Sequence, residues 1–350
     1  MEYTNNLFNQ TRREFLKGIT AAGSVVVFGT GNLFALSKTK KKWRHLPDDF
    51  QYKYRTVSVK HVEEVKKWFD KLNEEKKIGT IERFRKYMGT FNFNPEEIMP
   101  GAKSLIIISL PFKTASVLFN YKSKKIEILI PSGYSRPEFA LNVPSITNLI
   151  MNDIIKDSNK KIQFTGATLP LKTFAVRSGL ADYGKNNITF VEEYGSFHRF
   201  AGLYTDKELE DNWRPLQMLR ICKGCSICIN ECPTKCIREE NFIINADKCI
   251  SIYNEEPGQF PDWMPKEVHH TLVGCLKCQY TCPANDSIIK DIDKLAEISE
   301  DETEFLLSDK TDKEIYSKIS KKLARFPSVR NFDDFRRNFK MAFANIFPKS

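Results

Sequence analysis

The sequence predicts a mixed α/β (α+β) domain, followed by a compact cysteine-rich module and a tail of helices. Three observations carry this. Short apolar, β-rich runs alternate with helical periodicity over residues 57–213; all cysteines fall between Cys222 and Cys282; and charged amphipathic stretches fill residues 287–350. A hydrophobic fraction of 41% and an aromatic fraction of 12% suit a globular protein with a real core. They exclude collagen-like, disordered and coiled-coil classes. The net charge of +10 suits a polyanionic partner, but the lysines are scattered along the chain, as on an ordinary solvated surface.

The amino terminus is read as an address. Thr11-Arg12-Arg13-Glu14-Phe15-Leu16-Lys17 is a twin-arginine pattern, and an apolar Ala/Gly/Val-rich run follows over residues 18–36. A charged region followed by an apolar one is the order of a signal peptide, and the paired arginines resemble the twin-arginine export signal. The run is short and broken by glycine, whereas a membrane span needs about 20 apolar residues. There is no clear A-x-A cleavage site, though a cut near Ala35 is compatible with the pattern. Residues 1–36 are therefore assigned to the signal and residues 37–56 to a basic linker. The expected location is periplasmic, or the extracytoplasmic face of the membrane, with membrane association through the signal segment.

Residues 57–87 read as one or two surface helices from their charge and helical spacing. Residues 105–110 form an apolar run closed by Pro111, and residues 126–130 another closed by Pro131-Ser132-Gly133; both read as buried strands. Residues 144–155 begin with proline in a first helical turn, and residues 171–179 form a helix ending near Gly179. A loop at 182–187 and strand-like runs at 188–191 and 197–205 complete the α/β domain of residues 57–213. Helices are expected over 288–324 and 332–347.

The cysteines carry the chemistry. Cys222, Cys225, Cys228 and Cys232, followed by Pro233, form a C-x2-C-x2-C-x3-C-P run. In a run of this spacing three thiolates converge on one cubane and the fourth reaches a second. Cys249, Cys275, Cys278 and Cys282, followed by Pro283, supply the other set. By the same exchange Cys282 completes the first [4Fe–4S] cluster, and Cys232 joins Cys249, Cys275 and Cys278 on the second. Zinc does not use this spacing. Nine cysteines are an odd number for a disulfide framework, and a [3Fe–4S] cluster would need a ligand to be missing. Cys236 is left over and reads as a small buried hydrophobe. Residues 214–286 thus form a ferredoxin-like double [4Fe–4S] module. Of the five histidines (His45, His61, His198, His269, His270) none pairs with metal spacing; His269-His270 should pack beside the second cysteine set.

The string AVRSGLADYGKNNITFVEEYGSFHRFAGLYTD from Ala175, then Asp211-Asn212-Trp213 and the cysteines, resembles the family that joins epoxyqueuosine reductases and reductive dehalogenases. The resemblance spans residues 97–285. It implies a reductase-like domain that binds cobalamin base-off beside two clusters. It further implies that Gly179, Gly184, Lys185, Asn186 and Asn187 line the corrinoid-side loop, and that Gly195-Ser196 make the next turn. Two departures stand out. The acidic proton donor of epoxyqueuosine reductases has only a loose counterpart in Glu138, and Tyr134 with Arg136 is one version of the dehalogenase Tyr and basic neighbour.

Three functions follow as expectations. The first is an exported reductase acting on a small molecule, fed by an electron-donor protein or a membrane quinol system. The second is a tRNA epoxyqueuosine reductase, which export would disfavour because tRNA is cytoplasmic. The third is a pure ferredoxin-type carrier. A cavity at residues 175–205 implies substrate chemistry, and a filled core there implies the carrier.

Overall fold

Residues 104–110, five aliphatic side chains with Ser104 and Ser109, are buried along their whole length, which requires cover on both faces of their sheet. The computed structural model describes residues 51–135, 143–164 and 168–347. The twin-arginine pattern, Arg136 and Glu138 lie outside the described residues. Strands β1 (Lys53–Ser58), β2 (Ser104–Pro111), β5 (Ile162–Phe164) and β8 (His198–Thr205) form a four-stranded antiparallel sheet in the order β1-β2-β8-β5. Leu105 and Ile107 meet helix α1 (His61–Glu74) and helix α3 (Leu171–Arg177) through Val62, Val65, Phe174 and Val176. Ile106, Ile108 and Leu110 face the other way, onto Ile150 and Ile155 of the segment that begins with helix α2 (Val143–Ile150). The alternation of a strand thus serves two cores at once.

A second sheet has the order β4-β3-β9, from β3 (Thr114–Tyr121), β4 (Lys124–Ile130) and β9 (Ile292–Ile298). β3 and β4 are antiparallel and β9 runs parallel to β3. Ala115, Val117 and Phe119 point inward opposite Ile130, Ile128 and Ile126. That face is closed by α7 (Glu300–Leu307), α8 (Lys313–Lys322) and α9 (Phe332–Ile346), with Phe119 and Phe339 ring centroids 4.6 Å apart. Ser299 and Glu302 cap α7 reciprocally, in a capping box.

The sequence expectations need three corrections. Residues 53–58, split in the sequence reading between the basic linker (37–56) and the expected surface helices (57–87), form edge strand β1 instead. Residues 292–298 are a strand, because their alternating side chains find β3 as a partner before helical structure begins at Glu300. The C-terminal segment also shares one core with the 114–130 hairpin, so it is built into the α/β architecture rather than appended to it.

Residues 214–286, between β8 and β9 in the chain, form a module of short helical turns. It includes α4 (Ile227–Glu231), α5 (Ile250–Glu255) and α6 (Lys277–Tyr280). Helix α9 fastens one side of it. Asn338 donates to the carbonyls of Asn254 and Leu272, and Asn345 to those of Lys266 and His269. Arg337 donates to the Tyr253 carbonyl and lies 4.1 Å over the Phe260 ring. No helix among the described residues is long and apolar enough to cross a membrane.

Candidate metal centre and adjoining cavity

All nine cysteines are free thiols. Among the described residues no three His, Cys, Asp or Glu side chains form a single-ion site. The sulfurs instead fall into two wider groups. The Cys228 and Cys282 thiols both feel Cys222 and Cys225, whereas Cys275 and Cys278 both feel Cys249 and Cys232. Cys228 also acts on Cys278, so the groups adjoin. This is the division expected of two cubanes exchanging one ligand each, and it fits an object larger than one ion.

The groups differ in their surroundings. Burial pushes the Cys228 thiol up to about 11 and Cys275 up to about 12. Cys232 moves the other way, down to about 5, because Cys236 donates to it; Cys249 falls to about 7 for the same reason. Cys236 is pushed up correspondingly. On the far side of the second group the His270 Nδ1–H donates to the Val268 carbonyl at 2.8 Å. That leaves Nε2 to accept from the Leu276 amide at 3.4 Å, 3.8 Å from Cys275 Sγ. His270 therefore packs beside the cysteine set.

The GKNN stretch grips this module. Lys185, only 6% exposed, donates to the Cys225 carbonyl at 3.0 Å and pairs with Glu239. Asn186 donates to the Cys278 carbonyl at 3.1 Å, and Asn187 to that of Phe242 at 2.9 Å. Asn186 Oδ1 also packs against Gly184, where a β-carbon would lie 2.5 Å from it. Ser196 is held by Asn285: its amide donates to Asn285 Oδ1 at 3.0 Å, and Asn285 Nδ2 donates back to its hydroxyl at 2.9 Å. One loop thus supports both sulfur groups through main-chain carbonyls.

Next to the module lies a cavity of about 780 Å³. Gly179, Leu180, Ala181 and Asp182 form one wall, and Phe190, Val191, Glu192, Glu193 and Gly195 a second. Tyr52 and the start of β1 add residues 52–55; Leu219 and Ala284 of the module, with Ser287 and Ile288 just beyond it, close the cavity. Leu219 accepts a hydrogen bond from the Cys222 amide, and Ala284 lies two residues beyond Cys282. The first sulfur group therefore abuts the cavity. Gly179 and Gly195 both have left-handed backbones, φ +77° and +53°. At Gly195 any side chain would strike Asn285 Oδ1, 2.5 Å from where a β-carbon would sit. Arg214, which donates to the Val176 and Ala181 carbonyls and pairs with Asp182 at 2.6 Å, edges the cavity as part of a fixed ion pair.

Of the residues singled out from sequence, Gly179 and Gly195 line the cavity. Gly184, Lys185, Asn186, Asn187 and Ser196 do not; they join the α/β domain to the module. Tyr134 is also elsewhere. Its hydroxyl donates to the Glu255 carboxylate, and its ring lies against Gly274, just before Cys275. Burial and Glu255 raise its pKa well above the usual range. Arg55, Arg214, Asn285 and Ser287 were not anticipated. Asn285 had a signal in its position, three residues past the last cysteine; the others had none beyond their charge or polarity.

Residues 221–285 match the 4Fe–4S double cluster binding domain. Relatives include the epoxyqueuosine reductases of Lactococcus garvieae (32% identical over 35% of this chain and 34% of that enzyme) and Bacillus subtilis (23% over 62% and 56%). The matched stretches thus span about a third to a half of those enzymes. The epoxyqueuosine reductase structure from Streptococcus thermophilus superposes with a TM-score of 0.57 at 20% identity, covering 84% of this chain and 77% of that one. Another, solved with an epoxyqueuosine-modified tRNA-Tyr stem loop, gives 0.56 at 18% identity over 84% and 77%. The chain has the fold of the epoxyqueuosine reductases and carries within it a 4Fe–4S double cluster binding domain.

Proposed function

We propose that this protein is an iron–sulfur reductase of the epoxyqueuosine reductase kind, with its substrate bound in the 780 Å³ cavity. The observation that carries this is the placement of that cavity between the α/β domain and the segments flanking Cys222 and Cys282. A pure electron carrier has no use for a space of this size, which lies within the range of ligand sites. Bound [4Fe–4S] clusters would supply one-electron transfers. Removing an epoxide oxygen as water takes two electrons and two protons, so two such centres suit the stoichiometry.

The chain's own residues bind and orient. The lining sets Lys53, Arg55 and Arg214 against Asp182, Glu192 and Glu193, which suits a polar, hydrogen-bonding substrate group, and the net charge of the whole chain, +10, favours a polyanion such as tRNA. Gly179 and Gly195 let Arg214 and Asn285 pack closely behind the cavity wall. Cobalamin, which the family resemblance implies, would supply a strongly reducing cobalt centre, and Gly179, Leu180, Ala181 and Val191 would lie against it. The segment after Tyr134, with Arg136 and Glu138, is the candidate source of the proton.

The sequence at residues 11–17 favours a second reading, export by the twin-arginine route, with reductive cleavage of a small molecule outside the cytoplasm and electrons from a donor protein or a quinol system. One experiment separates the readings. Anaerobically reconstituted protein, with and without cobalamin and a low-potential reductant, is given an epoxyqueuosine-bearing tRNA stem loop, and the nucleosides are read by mass. Loss of one oxygen that depends on iron, and that Ser287→Trp abolishes by filling the cavity, supports the tRNA reading. Unchanged nucleoside, with the native protein found outside the cytoplasm, contradicts it.

A further inference from the structure

We propose that Cys236, the ninth cysteine, is a positioning residue whose thiol donates to Cys232 Sγ, raising the reduction potential of the group that Cys232 helps to hold. The inference rests on the reading that the eight other cysteines bind two clusters. Cys236 Sγ lies 3.4 Å from Cys232 Sγ, and its own amide donates to the same sulfur at 3.3 Å. The residue is only 3% exposed, so solvent does not compete for its proton.

The backbone is shaped to bring it there. Lys235 adopts a left-handed conformation, φ +50°, and its amide donates to the Cys232 carbonyl at 3.2 Å. This tight turn reverses the chain and returns residue 236 to the sulfur four positions earlier. The Asn245 amide then donates to the Cys236 carbonyl at 2.8 Å and fixes it. Filling space with a small hydrophobe does not require any of this. Alanine would remove the nearest side-chain donor to Cys232 Sγ and leave only the Thr234 hydroxyl, 3.9 Å away.

A thiol is a weak hydrogen-bond donor. Donated to a cluster thiolate, it withdraws charge and favours the more negative, reduced state, so it raises the potential; hydrogen bonds to the sulfurs are among the recognised determinants of cluster potential. The first sulfur group has no equivalent, since the eight ligands and Cys236 account for all nine cysteines. It is the internal reference.

The test is a potentiometric titration of the iron-loaded protein, followed by EPR, on the wild type, Cys236→Ala and Cys236→Ser. We expect iron per chain to be unchanged in both variants. In Cys236→Ala one of the two potentials shifts negative while the other stays put. In Cys236→Ser, which keeps a donor, the shift is smaller. Unchanged potentials, or equal shifts in both variants, would overturn the proposal by showing a packing role only. Iron loss confined to Cys236→Ala would overturn it by making Cys236 a ligand. Failure of the wild type to bind iron would instead remove the cluster reading on which the proposal stands.

Discussion

One motif, a C-x2-C pair completed by a C-P cysteine, supplies both sulfur groups, yet the fold gives them unlike environments. The first group borders the cavity through Leu219 and Ala284, and its thiols are shifted upward where a shift is resolved, by burial. The second is walled by α9, by Tyr134 with Glu255, by His270 and by Cys236, and two of its thiols are pulled downward. The local spacing of cysteines fixes what can be held. Tertiary contacts, many from residues more than 80 positions away, fix how the two groups differ.

The largest expected effect tests the shared part of that comparison. Cys225→Ala and Cys249→Ala should each lower iron from about eight per chain toward about four, in opposite groups, as read by metal analysis. Phe339→Ala should come next. It opens the core beneath α9 at a cost of about 3–5 kcal/mol, lowering the melting temperature and speeding chelator-driven release of iron from the second group before the first. Lys185→Met and Asn186→Ala should then split the groups more finely. Removing the charged donor on the Cys225 carbonyl costs about 1.5–3 kcal/mol, and removing the neutral one on the Cys278 carbonyl about 1 kcal/mol. The first should loosen the first group and the second the other.

The smallest effect is electrostatic and belongs to neither group. His198 is half-buried with its Nε2–H on the Thr189 carbonyl, 3.0 Å away, and desolvation lowers its pKa to about 4. The unfolded chain, with an ordinary histidine near 6.5, binds the proton more readily, so stability should fall as pH drops from about 6.5 toward 4 and stay flat above. His198→Asn should flatten that slope in pH-dependent denaturation without altering iron content.

Much of this was legible in the sequence, for reasons that can be named. The apolar run at 105–110 had to be buried on both faces, and the α9 stripe of Phe335, Phe339, Ala342 and Phe343 follows helical spacing. The eight ligands were legible because cluster binding concentrates its signal in a few invariantly spaced side chains. β3 was overlooked although Ala115, Val117 and Phe119 alternate, because polar residues interrupt the run. Residues 292–298 read as helix because their charge pattern suits either structure, and only the partner strand decides. The cavity was legible in its glycines, Gly179 and Gly195. Its charged rim was not, since Arg55 and Arg214 are brought there by strand pairing and loop packing that no local pattern encodes.

The central claim is that eight cysteines hold two cubanes in adjoining groups. Its most direct test is iron, acid-labile sulfide and zinc analysis on protein purified without oxygen, combined with EPR of the reduced state. The predicted result is about eight irons and about eight sulfides per chain, no zinc, and a spectrum broadened by interaction between two nearby paramagnets. Stoichiometric zinc, or oxidised thiols with no iron, would contradict it.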